Sequence, residues 1–150
     1  MSKTSYFLNP RIHLFLFAAS LLLIIVPVIN KTPSTQITEK TLVAAVDFLY
    51  LVDTEEYAKS WDTTAIALKD MLPQSDWNAQ IAELRSALGP VVERRTQNLA
   101  YTDSADDVPA GQYVVMTFVS KFEFRERVVE TLTLMLDQDN LWRVAGYFIR

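Results

Sequence analysis

The sequence predicts an α+β fold: an N-terminal transmembrane helix, then helices packed in a curved antiparallel sheet of about four strands. Three observations carry this. Residues Ile12–Ile29 form an uncharged apolar run just long enough to cross a bilayer. Apolar residues then recur at helical spacing as far as Gly89-Pro90. Beyond Pro90 the period drops to two, and three stretches alternate apolar with polar residues. Helices followed by a run of strands is an α+β order, one sheet closing over the helices.

Ahead of the apolar run stand Lys3 and Arg11, and no acidic residue precedes Glu39. A basic flank before an apolar core marks an export signal or an anchor. The run is longer than a typical signal core and is followed by no small-x-small cleavage site, which favours an uncleaved anchor. The expected organisation is a cytoplasmic N-terminus (1–11), a transmembrane anchor (12–29), a linker (30–37) and an extracytoplasmic domain (38–150). The orientation is N-in, at a bacterial inner membrane with the domain in the periplasm; secretion after signal cleavage is the alternative. His13, near the cytoplasmic end of the run, reads as tolerated rather than functional, and Pro27 falls in its last turn.

Polar, proline-bearing Asn30–Gln36 reads as a stalk. A helix follows from about Thr38, with Leu42, Val46 and Leu49 on its apolar face and Ala45, Phe48 and Val52 beside them. Asp53-Thr54-Glu55-Glu56 has the spacing of a capping box, with Asp53 as N-cap of a short second helix carrying Tyr57 and Trp61. A further turn or two runs into Pro73. The best-defined helix is then capped by Ser75 or Asp76, presents Trp77, Ile81, Leu84 and Leu88 as core, and stops at Gly89-Pro90. Val91–Thr102 is a weak polar strand suited to a sheet edge. Val114, Met116, Phe118, Phe122 and Phe124 share a face of the next strand, interrupted by Ser120; Leu132, Leu134 and Leu136 follow, and Trp142, Val144, Gly146 and Phe148 share the last. With three glycines in the chain, the bends of long strands fall to bulges, expected near Arg125-Glu126.

Composition excludes more chemistry than it suggests. The chain has no cysteine, and its single histidine lies in the apolar run. The domain therefore has no disulfide framework, no Ser-His-Asp or Cys-His nucleophile system, no Cys/His zinc site and no glycine-rich phosphate loop. Twelve of the fourteen basic residues follow residue 30, against all eighteen acidic ones. That acidic balance disfavours nucleic acid and anionic lipid headgroups as partners.

What remains is carboxylate, tyrosine, lysine and arginine chemistry. Glu130 shares a strand face with Val128, Leu132 and Leu134, so it points inward, where apolar surroundings would raise its pKa; the plainer expectation pairs it with Arg125 or Arg127. Tyr57, Trp61 and Trp77 are either a pocket lining around it or core. Arg85, Arg94 and Arg95 read as salt-bridge or solvated residues. Asp137, Asp139 and Asn140 read as turn chemistry rather than half of a calcium loop, whose later carboxylate is absent.

Four segments carry a family resemblance: Asp53–Asp62 (DTEEYAKSWD), Trp77–Gly89, Gly111–Phe118 (GQYVVMTF) and Glu130–Arg150 (ETLTLMLDQDNLWRVAGYFIR). Together they resemble the bacterial domain-of-unknown-function family 4019, within the nuclear transport factor 2-like (cystatin-like) superfamily of cone-shaped domains. The resemblance implies the fold and an exported or anchored location; it implies no activity, so no catalytic residue is carried over. The expected function is a membrane-anchored extracytoplasmic binding or assembly module without catalytic activity, metal or cofactor. Its partner is another envelope protein or a second copy. The alternatives are a small-molecule pocket protein, either a ligand sensor or a carboxylate-dependent isomerase or hydrolase, and an accessory subunit of a larger membrane complex. A pocket holding an unpaired, inward Glu130 or Asp62 separates the pocket readings from the assembly reading, which a filled interior favours.

Overall fold

The computed structural model describes residues 31–103 and 110–150. In chain order they form α1 (Thr35–Asp53), α2 (Tyr57–Asp62), α3 (Ile66–Met71) and α4 (Gln74–Leu88), then β1 (Val91–Thr102), β2 (Tyr113–Phe122), β3 (Arg125–Leu136) and β4 (Trp142–Ile149). The strands make one antiparallel sheet in the order β1-β2-β3-β4. No helix among the described residues is long and apolar enough to cross a membrane. The expected anchor, Ile12–Ile29, lies outside them.

Ser34 starts α1, its hydroxyl accepting from the Ile37 amide at 3.3 Å. The helix therefore begins three residues before the expected Thr38 and takes in the end of the expected linker. Its buried face is Thr41, Ala45, Phe48, Leu49 and Val52; of the expected stripe Leu49 is buried with the neighbouring Ala45, Phe48 and Val52, while Leu42 and Val46 are exposed. Phe48 sets that phase by packing on Trp77 and Tyr147, with ring centroids 5.9 and 5.5 Å away. Thr41 tolerates burial because its hydroxyl donates to the Ile37 carbonyl at 2.8 Å. Asp53 is not a helix N-cap. It ends α1, and its carboxylate is taken by two arginines, leaving α2 to start at Glu56 without a side-chain cap.

The fourth helix starts at Gln74 behind Pro73, so neither Ser75 nor Asp76 is its cap; proline's fixed φ already suits the helix entry. Trp77, Ile81 and Leu88 are buried as expected, but the fourth buried position is Arg85 rather than Leu84. Leu84 is half-buried against a small cluster of Leu88, Phe122 and Val128. At Gly89 the backbone turns with φ +74°, and a Cβ there would stand 2.9 Å from the Phe124 ring.

The helices pack on the sheet face carrying Val114, Met116, Phe118, Leu132, Leu134, Val144 and Tyr147. Register slips occur at Val91/Glu93, Thr96/Asn98, Ser120/Phe122 and Thr133/Leu134, so the break expected near Arg125-Glu126 comes a few residues earlier. That slip ends β2 at Phe122 and leaves Phe124, expected on the apolar face, in an exposed turn. Both sheet edges are partly covered. Lys31 and Tyr101 exchange backbone hydrogen bonds at 3.3 and 3.0 Å on the β1 side, and the Ala65 amide donates to the Val144 carbonyl at 2.9 Å on the β4 side.

Candidate functional site

Alternation along β3 turns Glu130 inward, and the structure leaves it fully buried. Its first partner comes from β1, where the slip after Val91 turns Arg94 inward opposite Ser120. Arg94 donates from Nε to Glu130 Oε1 at 2.7 Å and from Nη2 to Oε2 at 3.1 Å. The Ser120 hydroxyl donates to the same carboxylate, as does the Tyr147 hydroxyl, to Oε2 at 2.5 Å. Ser120, which interrupts an apolar strand face in the sequence, is thus placed for Glu130.

Arg94 also reaches the end of α1, donating to both oxygens of Asp53 at 2.7 and 3.0 Å. Arg85 meets that carboxylate from α4, 3.1 Å away, and lies over the Phe122 ring at 4.7 Å. Its Nη1 has no hydrogen-bond partner among the described residues; the face of the aromatic ring supplies part of what a hydrogen bond would. Two arginines and two carboxylates therefore close a network across β1, β3, α1 and α4 in which the formal charges cancel.

The electrostatics follow. Burial alone would raise the Glu130 pKa, but the Arg94 hydrogen bonds and charge, then Ser120 and Tyr147, outweigh it and hold the carboxyl below its ordinary value. The shift expected from apolar surroundings is reversed because the surroundings are not apolar at the carboxylate itself. Burial and the Glu130 charge push the Tyr147 phenol well above its usual range. Glu130 stays ionised near neutrality with its charge already engaged, which suits holding the sheet to the helices better than proton transfer.

The other candidates sit elsewhere. Trp77 is buried and donates from its indole to Ser60 Oγ at 3.0 Å. Trp61 is half-buried, donates to the Leu72 carbonyl at 2.9 Å, and has the Lys69 ammonium 5.3 Å from its ring centroid. Tyr57 is half-buried at the margin of the main core. Asp62 is exposed and accepts from Gln74 at 3.2 Å. Arg125 and Arg127, expected as partners of Glu130, are exposed on β3. Arg95 is exposed and pairs with Glu93.

In the β3–β4 turn, buried Asp137 accepts from the Ile66 and Gln138 amides at 3.1 and 2.9 Å. Asp139 takes both Nη atoms of Arg143 at 2.5 and 2.6 Å. Among the described residues no group of three or more acidic or histidine side chains is placed to hold a metal ion.

A groove of about 680 Å³ lies between α1 and this turn, lined by Val43, Asp47, Asp62, Leu141, Trp142 and Val144 among others. Glu130, Tyr57, Trp61 and Trp77 do not line it. Sequence reasoning missed the groove; it also missed Arg94, Ser120 and Tyr147 as partners of Glu130 and Asp53 as the second carboxylate on Arg94.

The family model described as "Protein of unknown function (DUF4019)" matches residues 44–147. The chain belongs to this family. No curated protein and no solved structure matches it. For this family member, the matched span contains Asp53, Arg85, Arg94, Ser120, Glu130 and Tyr147, the whole buried network.

Proposed function

We propose that this protein is a membrane-tethered recognition and assembly module without catalytic activity, built on a nuclear transport factor 2-like frame. The observation that carries the reading is the sheet face on which no described helix packs. Its central positions are Asn98 and Ala100 on β1, then Tyr113, Val115, Thr117 and Val119 on β2. Val129, Thr131, Thr133 and Met135 follow on β3, and Gly146 and Phe148 on β4. None is charged. Strands about 4.8 Å apart and about seven residues deep give this face a plan of roughly 400 Å². Ala100, Tyr113, Val115, Thr131 and Thr133 on it are buried, and Thr117, Val119, Val129, Met135 and Phe148 are partly exposed. Arg95 and Arg143 pair with its margins at Val119 and Met135.

The interior supports the same reading. The inward carboxylate of Glu130 is fully partnered, and Phe48, Trp77, Met116, Leu132 and Leu134 fill the space between sheet and helices. A four-stranded antiparallel sheet with helices on one face supports the superfamily frame. The run Ile12–Ile29 behind Lys3 and Arg11 supports a tether, N-in at a bacterial inner membrane, with the domain outside the cytoplasm. The partner is a second copy or another envelope protein.

Photocrosslinking in native membranes tests this. A photoreactive amino acid replacing Thr117, in the middle of the face, is expected to give a discrete adduct with a second copy or an envelope protein. The same group at Glu123, in the exposed turn, is expected to give none. Adducts of equal yield from both positions, or none from Thr117, would overturn the reading.

A further inference from the structure

The groove between α1 and the β3–β4 turn combines three properties. Its base is apolar and fixed: Trp142 and Val144 are buried where they line it. Its walls are apolar and uncovered, with Val43 62% and Leu141 56% exposed. Its rim is acidic: Glu39, Asp47 and Asp62 stand against Lys40 and Arg143.

The two cations do not balance the rim. Arg143 is already held by Asp139 at 2.5 and 2.6 Å and approached by Asp137 at 3.5 Å, which leaves Lys40. Glu39 and Asp47, two turns apart on one side of α1, make no ion pair among the described residues. The Asp62 carboxylate accepts from the neutral Gln74 amide, while the Lys69 ammonium donates to the Asp62 backbone carbonyl at 2.7 Å. An apolar trough about 680 Å³ in volume, with surplus negative charge along its edge, complements a chain that puts apolar side chains in the middle and cations at the margin.

We infer that this groove is a docking site for a basic, amphipathic segment of a partner protein, one that seats aliphatic side chains between Val43 and Leu141 and sets lysine or arginine beside Glu39, Asp47 and Asp62. The inference concerns a different surface from the helix-free sheet face and stands or falls independently of it.

The test uses the full chain in neutral detergent micelles and a fluorescent peptide of alternating leucine and lysine. Fluorescence anisotropy should show saturable binding that weakens with added salt. Two variants probe the two halves of the argument at exposed positions: Glu39→Lys with Asp47→Lys for the rim, and Val43→Ser with Leu141→Ser for the walls. Each is expected to weaken binding about tenfold or more, while Val92→Ser, an exposed change elsewhere, leaves it within about twofold. Replacing lysine by glutamate in the peptide, or leucine by serine, should abolish binding.

Absence of saturable binding overturns the proposal. So does loss in the rim variant alone, which would reduce the effect to general charge attraction. Competition by hexylamine as strong as by unlabelled peptide would also overturn it, making the groove a small-cation site. So would concentration-dependent self-association that both groove variants abolish, which would make the occupant a second copy.

Discussion

Arg94 holds Glu130 inside the molecule much as Arg143 holds Asp139 on its surface. In each pair two guanidinium nitrogens meet two carboxylate oxygens, at 2.7 and 3.1 Å in the first and 2.5 and 2.6 Å in the second. Both carboxyls are held below their ordinary pKa, Asp139 at about 2. The settings differ: Glu130 has no solvent exposure, whereas half of the Asp139 side chain is in water. The surface pair is the shorter, yet water competes for both its members before and after folding, so its geometry says little about its worth. The interior pair has lost its water, and removing one member leaves the other's needs unmet.

The largest effect expected from this contrast is Glu130→Ala, which leaves Ser120, Tyr147 and half of the Arg94 guanidinium unsatisfied. It should lower stability by about 3–5 kcal/mol in urea denaturation; a loss under about 1 kcal/mol would break the comparison. Replacing both members, Arg94→Met with Glu130→Leu, should recover only the share owed to the unpaired guanidinium, since Ser120 and Tyr147 still lack their acceptor and Asp53 loses one of its two arginines. Tyr147→Phe removes one hydrogen bond to a charged group and should cost about 1.5–3 kcal/mol.

The next effect is read from pH. Because folding depresses the Glu130 pKa below the ordinary 4.5, its contribution is complete above that value and declines as pH falls toward the folded-state pKa. The stability gap between the wild-type chain and Glu130→Gln should therefore narrow below about pH 4.5 and stay constant from pH 5 to 7; a gap that widens on acidification would reverse the assignment. The smallest effect is at the surface pair, where Asp139→Asn should leave the denaturation midpoint unchanged within error.

Most of the frame was legible because it rests on periodicity. Alternation along Val114–Phe118 and Val128–Leu134 places those residues inward in both sequence and structure, Glu130 with them. The buried network was half legible, for a physical reason. Glu130 is visible by its neighbours, but Arg94 lies thirty-six residues away on a strand whose inward positions depend on two register slips. Strand pattern alone cannot reveal such slips.

Asp53 shows a related failure. DTEE satisfies the local rule for a helix start, and nothing nearby announces that Arg85 and Arg94 will compete for the carboxylate. Arg85 for Leu84 is a shift of one residue on a helix, within the width of an apolar stripe, and the Asp53 carboxylate and the Phe122 ring, both distant in sequence, hold the guanidinium inward. The groove left no trace in the sequence because it is made by what α1 leaves uncovered.

The stitch between Lys31 and β1 has a mechanical consequence. Two backbone hydrogen bonds to Tyr101, at 3.3 and 3.0 Å, and one exposed ion pair to Asp103, at 3.0 Å, join the first described residue to the sheet edge. A pull on the chain from the N-terminal side loads these links before it reaches α1, whose hold on the fold is Phe48, Val52 and the ion pairs of Asp53. Water reaches the Lys31–Asp103 pair readily, so this stitch should yield at low force and free the few residues before α1 while the sheet stays intact. In force spectroscopy that is a small first extension preceding the main rupture. Strain applied at Lys31 would thus be relieved at the sheet edge before it reached the core.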